Sequence, residues 1–276
     1  MLPVRLPSPP LSRIGPAAVL LGCALLFYGC SDTSNPAGTD PGDDPSDPGG
    51  DPPTSFDSEA APGSSAEAFL DDQRFSALRV EVDYMEGYEP TAAALDSLKS
   101  SLTTQLSKST VQIASPTAIP AQGQDTYSSQ QIRDLEAEHR THYTRAESDT
   151  IRAYFLILDG RYTSENVVGI AYYNTSMAFF GGAIDEITSG ITAPSREKVE
   201  ATVFRHEFGH NLGLVNNGTA MQQDHQDDPN GKHCTNDQCV MYYALETTDT
   251  FANIFDGTVP SFEQFCTEDM AAQRDG

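Results

Sequence analysis

The sequence predicts an α/β (α+β) domain with helices packed on a mixed sheet, and three stretches carry that reading. Leu78, Val80, Val82 and Tyr84 alternate with Arg79, Glu81 and Asp83, the period of a strand with one buried face. Leu95, Leu98, Leu102 and Leu106 then recur three and four apart, as on a helix with a single apolar stripe. Ala153 to Leu158 is apolar without a break, which suits a strand covered on both faces.

The other elements fall between these. A short strand at Val111 to Ile113 follows the first helix, and Gln130 to Tyr143 reads as a second helix through Ile132, Leu135 and His139. His139 and His142, beside Glu136, Glu138 and Arg140, read as a solvated face rather than a metal site. Val167 to Tyr173 and Ser176 to Phe180 are two more strands. Ser195, with Pro194 before it, can cap a helix that runs from Arg196 to Leu212, and Phe262 to Gln273 can form a last helix carrying Cys266. The order β-α-β-α-β-β-β-α calls for a mixed sheet with helices laid on it. Roughly 200 residues are enough to close one core, and no internal repeat is present.

The chain begins with a segment of another kind. Arg5 and Arg13 precede a short apolar run, Ala17 to Tyr28, too short to span a bilayer comfortably. The run ends at Phe27-Tyr28-Gly29-Cys30, which resembles a bacterial lipobox, so residues 1–29 are expected to be a lipoprotein signal peptide and Cys30 its lipidated residue. Leu20-Leu21-Gly22-Cys23 matches the box better, but cleavage there would leave an apolar new N-terminus. Ordinary signal cleavage with free secretion is the alternative. Residues 30–57 are mostly Asp, Pro, Gly and Ser and bury too little to offset their chain entropy. They are expected to form a disordered tether between the membrane and a folded domain over 58–276. The expected location is therefore a bacterial membrane surface, facing the periplasm or the cell exterior.

The formal net charge is −24, and removing Arg5 and Arg13 leaves 14 basic against 40 acidic residues, a net −26. Such a surface excludes nucleic acid and anionic lipid headgroups as natural partners.

The chemistry concentrates in His206-Glu207-Phe208-Gly209-His210-Asn211-Leu212-Gly213, an HExxHxxG stretch. Histidines four apart lie on one helix face, so both imidazoles can reach one metal ion, with Glu207 placed to touch a water on it. Val199, Val203, His206 and His210 form one stripe, which points the ligands inward. Gly213 falls where a left-handed turn would end the helix. Zinc chemistry needs three protein ligands and an open position, so a third ligand must come from elsewhere, and His225 and His233 both lie downstream.

Together with the downstream Met241, this stretch resembles the metzincin zinc peptidases. The element His233-Cys234-x4-Cys239-x-Met241 is similar to the archaemetzincin pattern HC-x4-C-x-M. The resemblance implies a mostly parallel, twisted sheet with an active-site helix and a small C-terminal subdomain. It also implies a Zn2+ cofactor, a peptide or protein substrate, Glu207 as general base and Met241 as the floor of the site. Metzincins place the third histidine three residues after the glycine, where this chain has Asn216. The archaemetzincin-like element then implies His233 as third ligand, with His225 as the alternative. Tyr243, two residues after Met241, matches a metzincin tyrosine that can steady an oxyanion. A Cys234–Cys239 disulfide would suit an oxidising compartment and pin His233 near the methionine, leaving too few thiols for a structural zinc site. An extended peptide would add to an edge strand at Val167 to Tyr173, with Gly169 leaving room for its backbone. The competing reading is a lipoprotein binding module that keeps the fold without catalysis, and the intact Glu207 argues against it.

Overall fold

The computed structural model describes residues 56–164, 166–248, 251 and 257–275. The leader, Cys30 and the tether up to residue 55 lie outside the described residues. Among the described residues no helix is long and apolar enough to cross a membrane.

A short helix α1 (Ala66–Leu70) leads into β1 (Ala77–Met85), α2 (Ala92–Gln105), β2 (Thr110–Ile113), β3 (Thr117–Ile119) and β4 (Thr126–Tyr127). Then come α3 (Ser129–His139), β5 (Thr150–Leu158), β6 (Arg161–Tyr162), β7 (Gly169–Tyr173) and β8 (Ser176–Phe180). Helices α4 (Gly181–Thr188) and α5 (Arg196–Asn211) follow, and α6 (Gln264–Asp275) closes the described chain. The main sheet runs β2-β1-β5-β8-β7, with β3 extending the β2 edge alongside β1. All its pairings are parallel except β7 with β8, so the fold is the mixed, mostly parallel α/β architecture. β4 and β6 form a separate two-stranded parallel pair.

β5 is central, and its unbroken apolar run serves two faces. Phe155 packs with Phe179 of β8 against Phe204 and Phe208 of α5 on one side. Tyr154, on the opposite face, donates to Asp83 of β1 and lies under the Arg140 guanidinium at the end of α3. Arg140 forms a buried pair with Glu136, 2.7 Å apart, and also reaches Thr175 and Ser176 at the start of β8. Of the face expected to be solvated, Glu138 and His142 are exposed and His139 is half-buried, whereas Glu136 and Arg140 tie α3 to the sheet.

Two helices begin with side-chain caps. Thr91 accepts from Ala94 N to open α2, and Ser128 with Gln131 forms a capping box for α3. Helix α5 differs from its expected single stripe: from Val199 to Phe208 every side chain is buried, Glu200, Thr202 and Arg205 included. It is enclosed by α2, α4 and the underside of β7 and β8. Two of the polar members find partners on neighbouring elements. Glu200 accepts from Thr91 and from Arg196, and Arg205 reaches Pro260 O and Ser97 Oγ. A helix held on all sides is a rigid base for a site that must keep its geometry.

Candidate metal centre

Helix α5 presents His206 and His210 side by side, their Nε2 atoms 3.2 Å apart. Gly213 ends the helix with φ +72°, the left-handed turn its position predicts. Asn216 lies beyond that turn, exposed, with its side chain bonded to Gln226 and away from the histidines. The chain returns through residues 225–241 and brings His233 to the helical pair. The three imidazoles form a nearly equilateral triangle with ring centroids 5.0, 5.2 and 5.1 Å apart. His225 is elsewhere, bonded to Asp269 and Cys234.

Backbone carbonyls orient two of the three rings. His206 Nδ1 donates to Val240 O and His233 Nδ1 to Asn230 O, each at 2.6 Å. With the proton fixed on Nδ1, each Nε2 turns a bare lone pair to the common centre, as metal-binding imidazoles require. Glu246 adds a carboxylate oxygen, and the four donor atoms all lie within 4.8 Å of one another. Sequence reasoning missed Glu246; its only signal is a carboxylate five residues past Met241.

Glu207 is fully buried beside this group, and neither of its carboxylate oxygens has a hydrogen-bond partner. A buried charge without a partner is costly, so a carboxylate in this position fits a site that supplies one. Gly169 makes its approach possible. A Cβ there would lie 2.8 Å from Val203 Cγ1 and 2.9 Å from Glu207 Cγ. The room this glycine leaves is therefore filled by Glu207, not by a substrate backbone.

Met241 sits under the helix. A Cβ on Gly209 would fall 2.2 Å from Met241 Sδ and 3.0 Å from Phe262 Cε1, so the thioether packs on the bare Cα between the two histidines. Tyr243 is half-buried, its ring meeting Tyr242 edge-on at 4.9 Å.

The electrostatics suit a cation. Burial drops the His206 pKa to about 4 and the His210 pKa well below normal, so both are neutral and ready to ligate. Burial opposes protonation of His233 too, but the Glu246 carboxylate beside Nε2 more than offsets it and raises this pKa. Burial and the charge of Glu246 push Glu207 well above the usual carboxylate range. Burial works against ionising Glu246 as well, yet His233 and its companions hold it down at about 2.

A second cluster replaces the expected disulfide. Cys234, Cys239 and Cys266 are all buried free thiols. The Cys234–Cys239 loop closes by a backbone bond from Cys234 N to Met241 O and turns its sulfurs toward α6. There Cys239 Sγ lies 3.6 Å from Cys266 Sγ, and Cys234 Sγ lies 3.3 Å from His225 Nδ1. His225 Nε2 donates to the buried Asp269 at 2.8 Å, which leaves Nδ1 bare toward the sulfurs. Asn236 N and Met241 N approach Cys234 Sγ and Cys239 Sγ at 3.5 Å, as backbone donors do around metal-bound thiolates. The His225, Cys234 and Cys266 donor atoms lie within 4.8 Å of one another and could hold a metal ion, with Cys239 Sγ next to Cys266. A helix 27 residues beyond Cys239 supplies the third sulfur, which explains why counting thiols along the chain did not suggest the cluster.

No protein-family model matches the chain, and no curated protein matches it in sequence. Among solved structures it is similar to archaemetzincin from Methanopyrus kandleri, with TM-score 0.46 and 14% identity over 73% of this chain and 96% of that one. It is also similar to metalloproteinase-II from Bacteroides fragilis, with TM-score 0.43 and 12% identity over 82% of this chain and 59% of that one.

Proposed function

We propose that the protein is a zinc-dependent peptidase whose metal is held by His206, His210 and His233, with Glu207 as general base. The observation that carries this reading is the triangle of imidazoles beside a buried carboxylate with no partner. Zinc bound there supplies a Lewis acid and a water whose pKa falls toward neutrality. The residues of the chain do the rest. Glu207 takes the proton of the attacking water and passes it to the leaving amine. The Val240 and Asn230 carbonyls keep the His206 and His233 lone pairs aimed while charge develops. β7 is the outer strand of the sheet and offers main-chain groups to an extended peptide just above Glu207. Tyr243 is the candidate oxyanion donor. A peptide or protein is the substrate, and lipidation at Cys30 would hold the enzyme on a membrane facing the periplasm or cell surface. The cluster of Cys234, Cys239, Cys266 and His225 would carry a second, structural zinc that fixes the loop bearing His233.

The experiment is casein cleavage alongside zinc analysis. Glu207→Gln keeps the wild-type zinc content and loses cleavage, whereas His233→Ala loses one zinc and cleavage together. A catalytically inactive binding module is the second reading, favoured by Glu246, because a fourth protein donor is the mark of a closed metal site. Wild-type protein with full zinc and no cleavage of any unfolded protein would establish that reading instead.

A further inference from the structure

Of the carboxylates near the three histidines, Glu246 and not Glu207 belongs to the donor group. Its Oε2 lies 2.9 Å from His233 Nε2. With the imidazole protonated this contact is an ion pair. Once His233 is neutral, Nδ1 still donates to Asn230 O and Nε2 turns its lone pair to the centre that Glu246 also faces. Two donor atoms that face one centre, within 4.8 Å of each other and of the His206 and His210 donors, are arranged as co-ligands.

The backbone holds Glu246 in this place. Val168 N donates to Glu246 O at 2.9 Å, Thr248 N donates to Asn166 O at 2.8 Å, and Val167 and Thr247 form an antiparallel bridge. The strap 246–248 is thus stitched to the residues immediately before β7. One element carries a fourth donor and also occupies the entry to the edge where an extended chain would pair. The Glu246 side chain is 25% exposed, more than the 11% of His233, so it is open on the side from which a ligand would arrive.

We propose that Glu246 is a fourth protein ligand of the resting metal, a carboxylate cap that an incoming substrate must displace from the coordination corner. The inference rests on the metal site proposed above. The cap keeps the resting site closed, and it makes opening depend on a ligand that both reaches the metal and lies along β7. A carboxylate on a metal already held by three neutral histidines also removes one unit of positive charge, which lowers its pull on any competing oxygen until the cap has moved aside.

The test uses the full zinc-loaded chain and two readouts that need no turnover. One is the rate at which a chelator removes the triad metal, identified as the phase that disappears in His206→Ala. The other is the affinity for acetohydroxamate, a small metal-seeking anion, by calorimetry. Glu246→Ala should release the triad metal about 10- to 100-fold faster, and it should bind acetohydroxamate at least about tenfold more tightly because nothing has to be displaced. Glu246→Gln keeps the shape and the strap, whose bonds are main-chain, and should fall between wild type and Glu246→Ala. Both quantities staying within about twofold of wild type in both variants, while His206→Ala still abolishes the phase, would overturn the cap and leave the metal site intact. If His206→Ala leaves metal release unchanged, the three-histidine site itself is wrong.

Discussion

Gly209→Ala tests how the methionine floor is built. The added methyl would lie 2.2 Å from Met241 Sδ, 3.0 Å from Phe262 Cε1 and 3.3 Å from Met241 Cε. The first distance is far inside van der Waals contact, so the thioether must move. Alanine favours a helix interior over glycine by about 1 kcal/mol, whereas overpacking a closed core costs about 1–3 kcal/mol. With the clash at its severe end, the single variant should lose about 1–2 kcal/mol by combining these two effects. Met241→Ala alone opens a cavity at a fully buried position and should cost about 2–5 kcal/mol. In that background only the 3.0 Å approach to Phe262 Cε1 remains, which that ring can relieve by a small shift into the opened space, so Gly209→Ala should become stabilising by up to about 1 kcal/mol. The sign reversal gives a coupling energy of about 2–3 kcal/mol between two residues 32 positions apart, well above the scatter of additive pairs. Urea denaturation of wild type, both singles and the double variant reads it directly. If Gly209→Ala has the same effect with and without the Met241 side chain, the thioether does not rest on that Cα and the floor is built some other way.

Two further outcomes concern metal loading. The wild-type chain should hold two zinc ions, and Cys239→Ser or Cys266→Ser should each lower this to one and reduce the melting temperature. Native mass spectrometry counts the ions, and one zinc together with a mass deficit of two hydrogens would restore the disulfide. Proton release on zinc binding at the triad should follow His233. Its pKa is raised above 6.5, so it is largely protonated at and below that pH and must lose its proton to ligate. His206, with its pKa near 4, contributes nothing there. Release should approach one proton below about pH 6.5 and vanish as pH rises through the His233 pKa. Calorimetry in buffers of different ionisation heat measures this as the difference between wild type and His206→Ala, and a pH-independent result would rule out His233 as the titrating ligand.

The parts of the fold and site that were legible in the sequence are those set by near neighbours. The alternation from Leu78 to Tyr84, the apolar run in β5 and the four-residue spacing of His206 and His210 are local patterns, and each appears in the structure where its period puts it. Helix α4 was missed because it begins at Gly181, directly after β8, without a polar cap to announce it. Glu136 and Arg140 show where this kind of reading stops. Four apart and oppositely charged, they have the pattern of a solvated helix pair, yet both are buried, because Tyr154, Thr175 and Ser176 come to them across the sheet. No local period carries that information.

The site divides in the same way. Glu207 and its two histidines form one turn of helix and can be read as a unit, but what makes Glu207 usable is distant. Gly169 is 38 positions earlier and lacks the side chain that would otherwise collide with it. The same holds for the third imidazole. Asn216 stands three residues after Gly213, and the backbone there has turned left-handed at Val215 and Asn216 and points the asparagine to Gln226. A ligand can be deferred to residue 233 only if something holds the intervening loop, and the sulfur cluster does so. Cys234 follows His233 directly, and its thiol is gathered with His225 from the loop and Cys266 from α6. On this argument the cluster is what allows the third ligand to be displaced along the chain: losing a cysteine should loosen His233 first, and the Val240 carbonyl that orients His206 with it, before it disturbs His210, which α5 carries.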